Sequence, residues 1–266
     1  MTNWLEIDDD AKKWIKEAGE SIKQSFSNAL TIETKSDKND LVTDIDKNTE
    51  KFFIKKIKDK YPEHRILGEE GFGDIVCDLD GVVWMLDPID GTMNFVHQQR
   101  NFAISIGIYE NGVGKIGLIY DVVHEELYHA SKGNGAFLND LALPRLQDVT
   151  VSEAIIGVNA LWVTENNRID PAVLSPLVRD ARGTRSYGSA AIEMAYIASG
   201  RMDAYISLRL APWDIAAGLI LVEELGGTAT TLKGEPLNLL EKNSLFISKP
   251  GLHDEIMSKY LKDGKW

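Results

Sequence analysis

The chain has 266 residues, a formal net charge of −12, and 44% hydrophobic and 26% charged residues. These proportions are ordinary for a soluble globular protein, and the length permits one large domain or two closely packed halves. The acidic balance argues against a nucleic-acid partner, because affinity for nucleic acid comes mostly from Lys and Arg. Cys77 is the only cysteine, which excludes an intrachain disulfide.

Neither the first residues nor the apolar runs of this sequence indicate export or membrane insertion. Residues 1–10 lack the basic region and apolar stretch of a signal peptide. The longest apolar run, 215–222, is far shorter than the roughly 20 residues that cross a bilayer. We therefore expect a cytoplasmic protein with no membrane partner.

Helices come first along the chain and strands follow. Apolar residues at helical spacing predict a helix over about 8–28 and a second over about 44–60, which Pro62 ends. The polar segment between them, 34–43, is predicted to be a loop or hairpin. Apolar and β-branched runs then predict strands at 82–86, 102–109, 116–123 and 126–130.

The second half alternates strands with helices, which is typical of an α/β arrangement. Strands are predicted at 154–158, 203–207, 227–231 and 245–248. Helices are predicted at about 171–182, 189–199, 214–225 and 253–261. We divide the chain into an N-terminal α+β half, 1–145, and a C-terminal α/β half, 146–266, and we expect a tight interface between them.

Residues 112–117 fit the G-x-G-x-x-G pattern of dinucleotide-binding loops, but their surroundings favour a hairpin. The cofactor interpretation requires a helix directly after the glycines. The residues that follow, 118–123, are mostly apolar and strand-like. Asn111-Gly112 is typical of a hairpin turn, so we discard the dinucleotide interpretation.

Three short acidic motifs, distant along the chain, set carboxylates beside glycine or proline. They are Gly68–Gly71, Asp87–Thr92 and Trp213–Asp214. Each alone is also typical of an ordinary turn or helix cap. Carboxylates that converge need a neutralising partner, and hard divalent cations with oxygen ligands fit that requirement. The three motifs together therefore predict a divalent metal site.

The segment 87–92 carries the strongest local pattern of the three. A predicted strand ends just before Asp87, and α/β sheets commonly place ligands at the carboxyl ends of strands. The proline that follows fixes the backbone so that Asp87 and Asp90 can point the same way. Gly91 allows the chain to approach a ligand closely, and Thr92 opens a short helix whose free N–H groups can face a phosphate.

Five segments of this sequence resemble the signature segments of the inositol monophosphatase family, in the family's order. They are Asp40–Asp46, Gly68–Glu70, Trp84–Phe95, Gly188–Ala191 and Pro212–Gly218. The resemblance covers nearly the whole chain. It implies a layered α-β-α-β-α sandwich, often a homodimer. It also implies Mg²⁺-dependent hydrolysis of small phosphate monoesters, commonly inhibited by Li⁺.

The resemblance also implies a set of metal ligands, carried over by position. Glu69, Asp87 and the main-chain carbonyl of Ile89 would hold a first Mg²⁺ ion. Asp87, Asp90 and Asp214 would hold a second, and Glu69 would support a weaker third ion through waters. The four carboxylates and a phosphate monoester dianion together carry six negative charges, which three Mg²⁺ ions balance and two do not.

The remaining site residues implied by the resemblance act on water and substrate. Asp46 and Thr92 would form a hydrogen-bonded pair that positions the attacking water for in-line displacement and helps to deprotonate it, with Glu69 also in the catalytic group. Lys35 would add positive potential. The residues implied to bind substrate are Asp90, Gly91, Thr92, Gly188, Ser189 and Ala190.

The sequence departs from the family pattern just before Asp214. Ser207 and Ala211 stand where inositol-selective members have a Glu and a His that meet sugar hydroxyls. A lost charged acceptor weakens discrimination by about 1.5–3 kcal/mol, and Arg209 adds a cation that can favour a second phosphate or can simply face solvent.

Several substrates therefore stay open. Inositol 1-phosphate with relaxed specificity is the first candidate. The alternatives are a nucleotide (the 2′-phosphate of NADP or a 3′-phosphoadenosine phosphate) and fructose 1,6-bisphosphate. A further alternative is a regulatory protein that keeps the fold and acts through a protein or RNA partner.

Overall fold

A computed structural model describes residues 2–27, 32–34 and 41–264 of the chain. The helices in this part are α1 (Trp4–Ser25), α2 (Asp44–Lys60), α3 (Thr92–Gln98), α4 (Pro171–Asp180), α5 (Ala190–Ala198), α6 (Pro212–Glu224) and α7 (Leu252–Lys259). The strands before α4 are β1 (Ile32–Thr34), β2 (Leu41–Thr43), β3 (Arg65–Gly68), β4 (Val82–Asp90), β5 (Ala103–Glu110), β6 (Val113–Asp121), β7 (Glu126–Ser131), β8 (Ala136–Leu138), β9 (Leu141–Ala142) and β10 (Ile155–Val158). Those after it are β11 (Gly183–Arg185), β12 (Ala204–Leu210), β13 (Thr228–Thr230) and β14 (Asn243–Ser248).

The two N-terminal helices form one outer layer. Apolar residues of α1 at helical spacing are buried, among them Ala11, Ile15 and Ile22, and α1 begins four residues before the predicted start. The predicted bounds of α2 are confirmed: Thr43 and Asp46 form a capping box at its start, and it ends before Pro62. The predicted loop or hairpin is a hairpin of β1 and β2, with residues 35–40 outside the described part.

A seven-stranded sheet with the order β3-β4-β5-β6-β7-β8-β9 packs against these helices. The strand predicted to end at residue 86 is longer, because β4 continues to Asp90. Its pairing with β5 shifts register between Asp87 and Asp90, which marks a bulge. Pro88 lies within the bulge and has no N–H for the ladder, so the strand continues only through this irregularity. The prediction that this strand ends at residue 86 was wrong for that reason.

Asn111 and Gly112 form the turn between β5 and β6, and the rest of the glycine-rich segment 112–117 lies in the strand β6. The prediction of a strand rather than a helix after these glycines is confirmed. Gly117 also allows close packing, because a Cβ there would lie 2.5 Å from the carbonyl oxygen of Ala217 in α6. The absence of a side chain at Gly117 therefore allows α6 to pack directly against β6.

The second sheet has five strands in the order β11-β10-β12-β14-β13, with β10 parallel to both of its neighbours. Helices α5 and α6 lie between the two sheets in one apolar core, and α4 and α7 cover the outer face of the second sheet. The layers are therefore α-β-α-β-α, which confirms the predicted fold. The division at 145/146 stays a prediction. No helix in the described ranges combines the length and apolarity of a transmembrane segment.

Candidate metal and active site

Three carboxylates from two distant parts of the chain meet at one place in the structure. One side-chain oxygen each from Asp87, Asp90 and Asp214 lies within 4.8 Å of the others. The first two flank the bulge of β4, and the third lies in the first turn of α6. Asp87 and Asp90 are only 2% and 8% exposed. The fold thus brings together residues that are far apart in sequence.

The first turn of α6 is held against the sheet by two side chains of β5. Ser105, the residue paired with Asp87, donates a hydrogen bond of 3.2 Å to the carbonyl of Trp213. Tyr109 donates one of 2.8 Å to the carbonyl of Ala216. Asp214 itself accepts from the N–H of Ala211 at 2.8 Å. These contacts fix Asp214 beside the bulge.

The carboxylates oppose one another's ionisation. Burial raises the pKa of Asp87 well above its usual range, and the neighbouring carboxylates of Glu69, Asp90 and Asp214 raise it further. Burial, followed by the charge of Asp90, raises the pKa of Asp214 in the same direction. Burial also raises the pKa of Asp90 to about 6, although hydrogen bonds from Ser189 and Ala191 act against this. A cation at this place would remove the conflict.

Glu69 lies close enough to Asp87 for its carboxylate to raise the pKa of Asp87. The N–H of Glu69 donates to the carbonyl of Leu86 at 3.2 Å. The next part of the loop is bound by Glu50 of α2, which accepts hydrogen bonds from the N–H groups of Glu70 and Phe72. Sequence reasoning missed Glu50. Its only sequence signal is its place one helical turn after Asp46 on the buried face of α2.

Asp46 and Thr92 are in contact as the resemblance implied. The Thr92 hydroxyl lies 3.1 Å from Oδ1 of Asp46 and 3.1 Å from the carbonyl oxygen of Ile89. The other oxygen of Asp46 accepts hydrogen bonds from the hydroxyl and the N–H of Thr43. Burial raises the pKa of Asp46 to about 6, against these hydrogen bonds. Because Thr43 occupies Oδ2, Oδ1 is the oxygen that contacts Thr92.

The predicted substrate residues of the second half reach the site through Asp90. Its Oδ2 accepts hydrogen bonds from the hydroxyl of Ser189 and from the N–H of Ala191. Gly91, with φ of 94°, turns the chain into α3, and a Cβ there would lie 3.2 Å from the carbonyl oxygen of Gly188. Ala190 begins α5 and is buried. Their binding of substrate stays a prediction.

A second buried acid that sequence reasoning missed lies beside the turn at residues 187–189. Glu193 of α5 is 2% exposed and accepts the N–H of Tyr187 at 2.7 Å. Its Oε2 is buried without a hydrogen-bond partner among the described residues. Burial raises the pKa of Glu193 to about 7. Asn94 of α3 binds the same turn by donating to the carbonyl of Tyr187 at 2.7 Å.

The residues that depart from the family pattern directly precede Asp214 in the chain. Ser207 and Ala211 are buried, whereas Arg209 is exposed. The ammonium of Lys242 acts to lower the pKa of Asp214, against the larger effect of burial. Lys35, which the resemblance placed near the site, lies outside the described residues.

The donor set fits a hard divalent cation. The side chains that converge offer carboxylate oxygens, and the carbonyl of Ile89 lies in the same turn. Oxygen donors of this kind suit Mg²⁺, whereas soft metals prefer thiolates or imidazoles. The raised pKa values of Asp87 and Asp214 are what buried carboxylates show when no positive charge is beside them.

Comparison with known proteins gives a consistent result. The model of the inositol monophosphatase family matches residues 3–263. The chain is 64% identical over 261 residues to the inositol-1-monophosphatase of Bacillus subtilis, covering 98% of each chain. The 2′AMP-bound structure of staphylococcal SaIMPase-II has a TM-score of 0.89 at 42% identity, covering 98% of this chain and 95% of that one. An IMPase/NADP phosphatase solved with Mg²⁺ and phosphate has a TM-score of 0.89 at 29% identity, covering 97% and 95%.

Proposed function

The chain belongs to the inositol monophosphatase family and is a phosphoric monoester hydrolase, and we propose that it uses Mg²⁺ to hydrolyse inositol 1-phosphate and related small phosphate monoesters. The observation that carries this proposal is the convergence of Asp87, Asp90 and Asp214 within 4.8 Å. Buried acids that repel one another cost stability unless a cation is bound. Their retention in one place therefore favours a catalytic metal site.

The residues proposed to hold the metal are those implied by the resemblance. They are Glu69, Asp87, Asp90, Asp214 and the carbonyl of Ile89. Mg²⁺ bound there would lower the pKa of a water and offset negative charge on the phosphate. The charge balance favours three ions with substrate present, since the four carboxylates and the phosphate dianion carry six negative charges.

Asp46 and Thr92 are proposed to move the proton of the attacking water. A hydroxyl has one hydrogen to donate, and Asp46 Oδ1 is 3.1 Å away from it. When that hydrogen points to Asp46, the lone pairs of Thr92 Oγ can accept a hydrogen bond from water. The pair can then take a proton at Thr92 Oγ while Asp46 receives the hydrogen of Thr92. Thr43 holds the carboxylate in the orientation that this transfer needs.

Asp90 and the main-chain groups around it are proposed to bind the rest of the substrate. Asp90 has one oxygen occupied by Ser189 and Ala191, which leaves the other for a metal or a substrate hydroxyl. Main-chain groups of Gly91, Thr92 and the turn 188–190 complete the proposed contacts. Because these are mostly backbone groups, we expect them to select substrates by shape and not to distinguish one particular sugar from others.

A nucleotide monophosphate is the second candidate substrate. Ser207 and Ala211 offer no charged acceptor for inositol hydroxyls, and Arg209, which is exposed, is proposed to face the entrance of the site. A structural neighbour at 42% identity was solved with 2′AMP bound. We also propose a homodimer in the cytoplasm, on the strength of the family resemblance and the expectations from the sequence.

Phosphate release tests the proposal. The substrates to compare are inositol 1-phosphate, 2′AMP, NADP, 3′-phosphoadenosine 5′-phosphate and fructose 1,6-bisphosphate, each with Mg²⁺ and with EDTA. We expect Mg²⁺-dependent release that is strongest for inositol 1-phosphate and measurable for a nucleotide. Release from none of them would contradict the proposal and favour a regulatory role on the same fold.

A further inference from the structure

Glu50 is a buried carboxylate with both oxygens engaged by one loop. It is 0% exposed and lies in α2, one turn after Asp46. Its Oε2 accepts the N–H of Glu70 at 2.7 Å, and its Oε1 accepts the N–H of Phe72 at 2.9 Å. A buried charge needs such hydrogen bonds. The loop, in turn, has two of its N–H groups satisfied by this one side chain.

The bound loop is the one that carries Glu69. The N–H of Glu69 donates to the carbonyl of Leu86. The loop returns to β3, where the main-chain N–H of Asp74 donates to the carbonyl of Ile66 at 2.7 Å. Between these two backbone contacts, Glu50 binds the main chain directly after Glu69. The carboxylate therefore restrains the residue whose side chain meets Asp87.

The sequence makes room for this contact at Gly68. A Cβ at that position would lie 2.6 Å from the carboxyl carbon of Glu50, which is closer than real Cβ atoms approach. Only glycine leaves the carboxylate space to reach the N–H groups beyond. Gly68 and Glu50 are thus matched in shape, and the group of converging carboxylates includes neither of them.

We propose that Glu50 is a positioning residue of the metal site: it fixes the loop so that Glu69 faces Asp87, and it joins this loop to the helix that carries Asp46. The inference rests on the proposed function. One rigid helix would then set both the proton acceptor and a metal ligand relative to β4. Partners of this kind, one step behind a ligand, typically contribute about 10–100-fold to metal affinity.

The test is Glu50→Gln, which keeps the size of the side chain but sets an NH₂ group against one of the two N–H donors. Glu224→Gln is the matched control, because Glu224 accepts the N–H groups of Gly133 and Gly135 at the far end of α6. Each variant is titrated with Mg²⁺ and with Mn²⁺ by calorimetry without substrate. Thermal unfolding in EDTA is measured in parallel.

We expect Glu50→Gln to weaken metal binding by about tenfold and to raise the Mg²⁺ concentration for half-maximal rate by a similar factor. The rate at saturating Mg²⁺ should largely recover. Glu224→Gln should bind metal as the wild type does. Wild-type metal affinity in Glu50→Gln, with only a lowered melting temperature, would overturn the proposal and leave Glu50 a purely structural role.

A second variant keeps the test valid where Glu50→Gln does not fold. Phe72→Pro removes one donor to Glu50 from an exposed loop position and leaves α2 unchanged. It should also weaken metal binding, and unchanged affinity would contradict the proposal. Failure of the wild type to release phosphate would instead contradict the proposed function, whereas these binding measurements need no substrate.

Discussion

The hydroxyl of Thr92 lies 3.1 Å from a carboxylate oxygen of Asp46, joining two residues 46 positions apart in the chain. The contact pairs a hydroxyl with an acid whose second oxygen is already held by Thr43. No acidic motif of the sequence contains both partners. Two predictions follow from this pair.

Thr92→Ala should lower turnover by about 10²–10⁴-fold, the usual contribution of a positioned acid–base group. Metal affinity should change little, because the hydroxyl is not one of the proposed ligands. Thr92→Ser is the matched control and should retain most of the activity. Phosphate release and calorimetric titration with Mg²⁺ measure the two quantities, and an equal loss of both would contradict the role in moving a proton.

The rate at saturating Mg²⁺ should fall as the pH drops below about 6. Burial raises the pKa of Asp46 to about 6, and only the ionised form can accept the hydrogen of Thr92. Asp46→Asn should be slow and should lack this acidic limb. If the residual activity of Asp46→Asn keeps the same limb, another group is responsible for it.

Glu193→Gln should stabilise the protein at neutral and alkaline pH. Burial raises the pKa of Glu193 from 4.5 to about 7, so its contribution to stability is fully present below 4.5 and is lost as the pH rises through 7. The shift in pKa corresponds to a loss of about 3 kcal/mol in the free energy of unfolding between low pH and pH 8. Gln does not titrate, so the variant lacks this pH dependence. Urea unfolding at pH 5 and pH 8 measures it.

Glu126→Gln is the control of opposite sign for that measurement. Arg201 donates to Glu126 and lowers its pKa, so its contribution is present above the unfolded value and lost as the pH falls. The variant should therefore be less stable than the wild type at pH 8. A Glu193→Gln protein that is also less stable at pH 8 would contradict the assignment of a costly buried charge.

Asp87→Asn should separate stability from catalysis. In EDTA the variant should melt at a higher temperature than the wild type, because a repelling buried charge is removed. In Mg²⁺ the wild type should gain about 2.7 kcal/mol at a concentration of 100 times the dissociation constant, and the variant should gain less. Turnover should fall by orders of magnitude, and a near-normal rate would contradict the metal assignment.

Local patterns predicted most of the fold. The bounds of α2 follow from helical periodicity and the proline at 62, and the structure adds the capping box at Thr43. The strands β5 and β6 follow from apolar runs around a glycine turn. The short strands β3 and β11 were missed because three or four residues carry too little periodicity to distinguish them from loops.

The site was accessible from the sequence only in part. The acidic motifs and the family resemblance indicate the carboxylates, but no local pattern shows that β4 continues to Asp90 through a bulge. The roles of Glu50 and Glu193 come from their hydrogen bonds with main-chain N–H groups. Every residue type except proline has such a group, so the sequence does not indicate these contacts. Long-range hydrogen bonds of this kind require the coordinates.

Calorimetric titration of the metal-free protein with Mg²⁺ tests the central claim most directly, with Asp214→Asn as the comparison. We expect saturable uptake by the wild type at millimolar concentrations and a clear loss of affinity in the variant. Absence of uptake by the wild type, or equal uptake by Asp214→Asn, would show that the converging carboxylates are not a metal site.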